Sequence, residues 1–168
     1  MTATYHRCWV YGDDVNTDVI FPGKYTYTVT DPAELAAHAL EDLDPAFARE
    51  VRPGDVIVAG RNWGCGSSRE QAVTALKAAG VPVIIAASFG RIFFRNCINH
   101  GLLPVALPGL RDFVQTGDTI QIDRAAGQIV AAGQTFAIPP LSPSVQAILD
   151  AGGLIPMLRA RFAGERTP

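Results

Sequence analysis

Apolar positions follow two rhythms along this chain, and the places where the rhythm changes mark its elements. Cys8-Trp9-Val10-Tyr11 reads as a short strand ending at Gly12. In Asp55-Val56-Ile57-Val58-Ala59 the four residues after Asp55 are continuously apolar, as is the run from Val81 to Ala87, and strands buried on both faces read this way. Between them, residues 70–79 carry apolar positions at helical spacing, with Gly80 suited to end that helix. Ser88 is expected to cap a second helix over 89–99, stopped by Gly101, with Phe93, Phe94, Cys97 and Ile98 in the core. Asp31-Pro32 opens an earlier helix. Its apolar face, Leu35, Ala36, Ala39, Leu40 and Leu43, is expected to run on to Asp44-Pro45. Beyond the apolar segment 102–107, three short strands near 119–122, 128–130 and 135–138 are separated by glycine turns and read as an antiparallel meander. Helices are expected over 144–151 and 154–162, then a frayed tail at 163–168. The pattern is α/β, one domain over 1–168, with parallel and antiparallel strands in layers.

The stretch that breaks both rhythms is Asn62-Trp63-Gly64-Cys65-Gly66-Ser67-Ser68-Arg69-Glu70, between the central strand and its helix. A loop delivering residues to a helix start has free backbone N–H groups and the positive end of a dipole, so it favours anions. Arg69 adds a planar fork suited to a carboxylate or phosphate, and Ser67 and Ser68 add hydroxyls. Ser67 and Glu70 also fit a capping box, which would make the loop a mere turn with a cap. The glycines at 64 and 66 admit close backbone approach and weigh toward a ligand site. Neither nucleotide-binding glycine pattern is present. Asp18 reads equally as a turn residue and as a site carboxylate. Arg91, Arg95 and Asn99 share one helix face, suited to solvent or a partner, and His100 sits at that helix's end.

Composition narrows the classes. A net charge of −2 over 168 residues gives no reason to expect nucleic acid or an anionic membrane as partner. No apolar run approaches the ~20 residues that span a bilayer, and the start of the chain lacks an apolar export signal, so a cytoplasmic protein is expected. The three cysteines, Cys8, Cys65 and Cys97, are odd in number and widely spaced. That fits reduced thiols and argues against both a disulfide framework and a metal or cluster site within this chain.

The combination of Gly64-Cys65-Gly66-Ser67-Ser68-Arg69-Glu70 with Asn16-Thr17-Asp18, Arg91-Ile92-Phe93, Arg95-Asn96, Asn99-His100-Gly101 and Ala151-Gly152-Gly153-Leu154 resembles the small subunits of 3-isopropylmalate dehydratase and homoaconitase, in the aconitase superfamily. The resemblance spans nearly the whole chain. It implies the swivelling β/β/α domain of the aconitase C-terminal type. It implies a large-subunit partner carrying a four-iron four-sulfur cluster, with no cluster ligand from this chain. The implied reaction is a hydro-lyase isomerisation, dehydration then rehydration, which moves a hydroxyl between adjacent carbons of a small dicarboxylate. By position, Ser67 resembles the base that takes the carbon-bound proton, as an alkoxide stabilised by the loop and Arg69. Ser68, Arg69, Thr17, Asp18 and Gly66 resemble the substrate-binding set, with Arg69 as carboxylate clamp.

One departure bears on the substrate. Archaeal-type relatives carry a Tyr-Leu-Arg-Thr tetrad that reads the substrate's variable group; here it aligns with Tyr25, Thr26, Tyr27 and Thr28, and Tyr27 takes the arginine's place. An aromatic group suits an isopropyl better than a third carboxylate, which favours isopropylmalate and leucine biosynthesis. Homoaconitate, methylmalate or dimethylmalate remain alternatives, as does a non-catalytic anion-binding module. A homo-oligomer of the isolated chain is also left open.

Overall fold

The structure, a computed structural model, describes residues 3–165. Seven strands make one sheet: β1 (Thr4–Val10), β2 (Val56–Ala59), β3 (Val83–Ala86), β4 (Leu103–Ala106), β5 (Thr119–Asp123), β6 (Gln128–Ala131) and β7 (Gln134–Ala137), in the spatial order β4-β3-β2-β1-β5-β6-β7. β1 to β4 are parallel neighbours, while β5 returns antiparallel to β1 and continues as the expected meander. The helices are α1 (Thr17–Ile20), α2 (Pro32–Ala37), α3 (Phe47–Glu50), α4 (Gln71–Ala78), α5 (Arg91–Asn99), α6 (Pro143–Asp150) and α7 (Leu154–Gly164).

Alternation along the strands sorts the core into two. Trp9, Ile57 and Ile84 stand in register and join Phe21, Leu76 and Phe93 from the connections and helices. Their neighbours Cys8, Val56, Val58 and Ile85 join Ile120, Ile122 and Ile129 of the meander. The sheet therefore curls so that its antiparallel half covers one face of its parallel half, while α4 and α5 cover the other. Pro104 lies inside β4, which is tolerated because β4 is the edge strand. Near the start of β2, buried Asp55 accepts hydrogen bonds from Arg7 Nε at 3.1 Å, Trp9 Nε1 at 3.0 Å and the Arg52 amide at 2.9 Å. Burial would raise this carboxyl, but those donors outweigh it and hold it below the ordinary carboxylate range.

Three expectations are corrected. The helix opened by Asp31 ends at Ala37 and does not reach Leu43. The Leu40 amide is taken by the Ile20 carbonyl at 2.8 Å and Leu40 turns left-handed at φ +57°, so a tertiary contact overrides the helical stripe. Ser88 does not cap α5; Gly90 holds the cap position, and Ser88 Oγ accepts the Asn62 amide at 2.8 Å. In the expected tail, α7 continues to Gly164, and residues 166–168 lie outside the described residues.

Candidate active site

The connections leaving the carboxyl ends of β1, β2 and β3 meet at one edge of the sheet, where open α/β sheets place their ligands. The loop after β2 lies between the other two and is bonded to both through backbone. On one side the Gly64 amide donates to Val15 O at 2.8 Å and the Thr17 amide to Cys65 O at 2.9 Å. On the other the Trp63 amide donates to Ser88 O at 3.0 Å and the Gly90 amide to Trp63 O at 2.8 Å. Gly64 has φ +75°, and a Cβ there would lie 2.2 Å from Phe93 Cγ. Only glycine lets the loop settle on α5.

The capping box does not form. α4 starts at Gln71 after Glu70, and no side chain caps it. Ser67 Oγ instead lies 3.1 Å from Thr17 Oγ1, and Glu70 Oε2 lies 3.5 Å from His100 Nε2. Gly66, Ser67 and Ser68 are thereby free of a capping duty and stand exposed.

Thr17 supports this display from beneath. It is 1% exposed, and its hydroxyl donates to the Ser67 carbonyl at 3.0 Å. A hydroxyl has one proton, so the Ser67 hydroxyl is then the donor in the Ser67–Thr17 contact. Asn16 caps α1, its side chain accepting the Val19 amide at 3.0 Å, and this turn presents Asp18 to the loop. Asp18 does not fold back on its own backbone as a plain turn residue would. Its Oδ1 lies 2.7 Å from Arg69 Nη1. That contact is an ion pair in distance, with no N–H of the buried Nη1 aimed at a partner. Gly23 packs against the same group, since a Cβ there would lie 2.3 Å from Arg69 Nη1.

The 25–28 segment adjoins this site as a tight turn. Gln71 Nε2, at the start of α4, donates to Thr26 O at 3.3 Å. Tyr25 is half-buried and stacks on His38 with ring centroids 3.8 Å apart, Thr28 is exposed, and Tyr27 is 95% exposed. Arg91, Arg95 and Asn99 are exposed as their shared face suggested, and Phe93, Cys97 and Ile98 are buried. Gly23, Gln71 and Asn16 were absent from the candidate set. Asn16 was within reach, as an N-cap residue before an apolar triplet. Gly23 and Gln71 act through long-range contacts that leave no local signal.

The cysteines do not converge. Cys8 belongs to one core and Cys97 to the other, across the sheet, while Cys65 alone sits partly exposed in the loop. Burial pushes the Cys8 thiol up to about 12 and the Cys97 thiol up as well, which disfavours the thiolates that bind iron. These three residues do not fit a cluster. Among the described residues no helix is long and apolar enough to cross a membrane. A hollow of about 560 Å³ along α7, lined by Ile155, Leu158 and Phe162, shares no residue with the loop. The candidate residues Ser67, Ser68 and Asp18 lie exposed at an edge of the sheet.

Residues 15–110 match the aconitase C-terminal domain family. The 3-isopropylmalate dehydratase small subunit of Heliobacterium modesticaldum is 49% identical over 159 residues, covering 94% of this chain and 95% of that one. A small subunit of the same enzyme from Methanopyrus kandleri is 48% identical over 155 residues, covering 91% of each. A solved structure of 3-isopropylmalate dehydratase from Methanocaldococcus jannaschii superposes with a TM-score of 0.90 at 43% identity, covering 98% of both chains. On sequence and on fold alike, the chain belongs to the 3-isopropylmalate dehydratase small-subunit family, within the aconitase superfamily.

Proposed function

We propose that this small subunit supplies the proton-moving and carboxylate-binding side of a 3-isopropylmalate dehydratase active site, and that a large subunit closes the site and carries its four-iron four-sulfur cluster. The observation that carries the reading is the loop itself. Backbone bonds to both neighbours fix it, yet it leaves Ser67 and Ser68 exposed beside the Asp18–Arg69 pair, with none of the described residues covering them. The relatives' names favour isopropylmalate over homoaconitate or methylmalate. They also leave the non-catalytic module without support.

In this reading Ser67 Oγ takes the proton from the substrate carbon during dehydration and returns one to the neighbouring carbon during rehydration. Thr17 makes that base feasible. Its single proton can turn from the Ser67 carbonyl, 3.0 Å away, to Ser67 Oγ, 3.1 Å away, once that oxygen is an alkoxide. A charge-assisted hydrogen bond from a buried donor favours the anion and lowers its pKa. Arg69, whose side chain is partly exposed, binds a substrate carboxylate through its guanidinium, Ser68 and the Gly66 backbone flank it, and Asp18 orients the guanidinium. Departure of the hydroxide is left to the partner's half of the site.

The test is reconstitution with the large subunit under anaerobic conditions and assay on a panel of hydroxy-dicarboxylates, with the isolated chain as an inactive control. Ser67→Ala is expected to lower kcat by about 10²–10⁴-fold with a small change in KM. A kcat within a few-fold of wild type would remove Ser67 from the reaction.

A further inference from the structure

Ahead of the site loop, the turn after α2 gathers charged and aromatic groups that none of the roles above uses. Glu41 Oε2 lies 2.6 Å from His38 Nδ1, and Glu41 Oε1 lies 3.3 Å from Lys24 Nζ. The His38 ring stacks on Tyr25, and the Lys24 ammonium lies 4.9 Å from the centre of the same tyrosine ring. One carboxylate thus grips two of the side chains that pack on Tyr25, the third being the buried Phe21, whose ring centre lies 6.1 Å away. The His38 and Glu41 side chains are each about a quarter exposed, whereas Lys24 is largely exposed, so the His38 contact is the firmer of the two. Tyr25 in turn accepts the Thr28 and Val29 amides on its carbonyl, at 3.2 and 3.0 Å, which closes the turn carrying Tyr27. One residue before Lys24, Gly23 rests on the Arg69 guanidinium.

We infer that Glu41 is a positioning residue: through Lys24 and His38 it clamps Tyr25, and so sets both the 23–29 turn and the seat of Arg69. Tyr25 then serves as the segment's anchor and does not read substrate, which leaves Tyr27 as its outward group. The consequence for turnover rests on the proposed role of Arg69, whereas the clamp itself is a property of the isolated chain. The left-handed turn at Leu40 is what brings Glu41 back over the segment, because a continued helix would carry residue 41 onward along its axis.

Two measurements test this, on Glu41→Gln, which keeps the side chain's shape, and on Glu41→Ala. In the isolated chain, amide hydrogen exchange at Thr26, Thr28 and Val29 is expected to speed up at least about tenfold, while Ile57 and Ile84 amides stay protected and report an intact sheet. In the reconstituted enzyme KM is expected to rise severalfold with kcat within about twofold, a split that a general loss of folded protein would not produce. Unchanged exchange at those three amides in both variants, with the sheet protected, overturns the inference. So does loss of sheet protection in Glu41→Gln, since the glutamate would then hold the fold at large. Faster exchange with unchanged KM upholds the clamp and counts instead against Arg69 as the substrate's carboxylate ligand.

Discussion

The loop at 61–70 and the segment at 23–30 border the same open edge, yet they are held in different ways. The loop is stitched by backbone amides to the connections on both sides, and Gly64 lies directly on Phe93. The segment bonds mainly to itself, with the Thr26 amide on Gly23 O and the Thr28 and Val29 amides on Tyr25 O, and is fastened to its surroundings by side chains. Backbone stitching is insensitive to side-chain identity except where a Cβ would collide, whereas a side-chain clamp can be altered one residue at a time. The groups proposed for proton transfer and carboxylate binding, common to any substrate of this type, ride on the stitched loop. The group proposed to meet the variable part of the substrate rides on the clamped segment. Specificity can then change at the exposed Tyr27 without moving Ser67 or Thr17.

The most severe way to break the comparison is to strike the stitched side. Gly64→Ala forces a Cβ to within 2.2 Å of Phe93 Cγ at a φ of +75°. Phe93 is only 2% exposed, so it has nowhere to go. Steric overlap in a filled core and an unfavourable left-handed backbone together are expected to cost at least about 3 kcal/mol. Urea unfolding followed by tryptophan fluorescence measures this, since Trp63 lies in the affected loop. A loss below about 1 kcal/mol would show that the loop is not fixed by its contact with α5.

What the sequence made legible follows the same division. β2 and β3 were readable because a buried parallel strand is continuously apolar, and the meander because its turns carry glycines at 127 and 133. Ser67, Ser68 and Arg69 stood out as a candidate group because a polar, glycine-flanked loop between a strand and a helix is a local pattern, though the same letters also spell a capping box. The rest depends on partners distant in the chain. Ser67 is claimed by Thr17, Glu70 by His100, the Leu40 amide by Ile20, and the Arg69 guanidinium by Gly23. Apolar periodicity alone extended α2 past Ala37, and so hid the turn that delivers Glu41. Ser88 was misassigned for a like reason: a serine before a helix suggests a cap, but its oxygen was already used by Asn62.

A more moderate change sharpens the comparison on the clamped side. Tyr27 is 95% exposed, so replacing it should leave the fold intact. Tyr27→Arg in the reconstituted enzyme is expected to shift preference from isopropylmalate toward a substrate with an extra carboxylate. A charge-assisted pair is worth about 1.5–3 kcal/mol, roughly tenfold to a hundredfold in the ratio of kcat/KM values. An arginine facing an isopropyl group would also be left unpaired, which lowers turnover of the original substrate. Both constants should be measured for wild type and variant with the same large subunit. An unchanged ratio would mean that the segment lies beside the substrate's variable group without reading it.

The smallest expected effect lies where the two regions touch. Gly23, like Gly64, has no room for a Cβ, but the obstacle differs in kind. A Cβ at Gly23 would meet the end of the Arg69 side chain, 2.3 Å from Nη1 and 3.0 Å from Cζ, and that end can swing aside where a buried phenylalanine cannot. Gly23→Ala is therefore expected to leave unfolding free energy within about 0.5 kcal/mol of wild type. The displaced guanidinium would no longer sit beside Asp18, and substrate would have to draw it back. That cost should appear in KM, raised about three- to tenfold or roughly 0.6–1.4 kcal/mol, with kcat nearly constant because Ser67 and Thr17 have not moved. Thermal unfolding of the isolated chain and steady-state kinetics of the reconstituted enzyme separate the two effects. A destabilisation as large as that of Gly64→Ala would make the segment as rigid as the loop and erase the distinction between them. An unchanged KM would instead mean that Arg69 does not need its present seat to bind substrate.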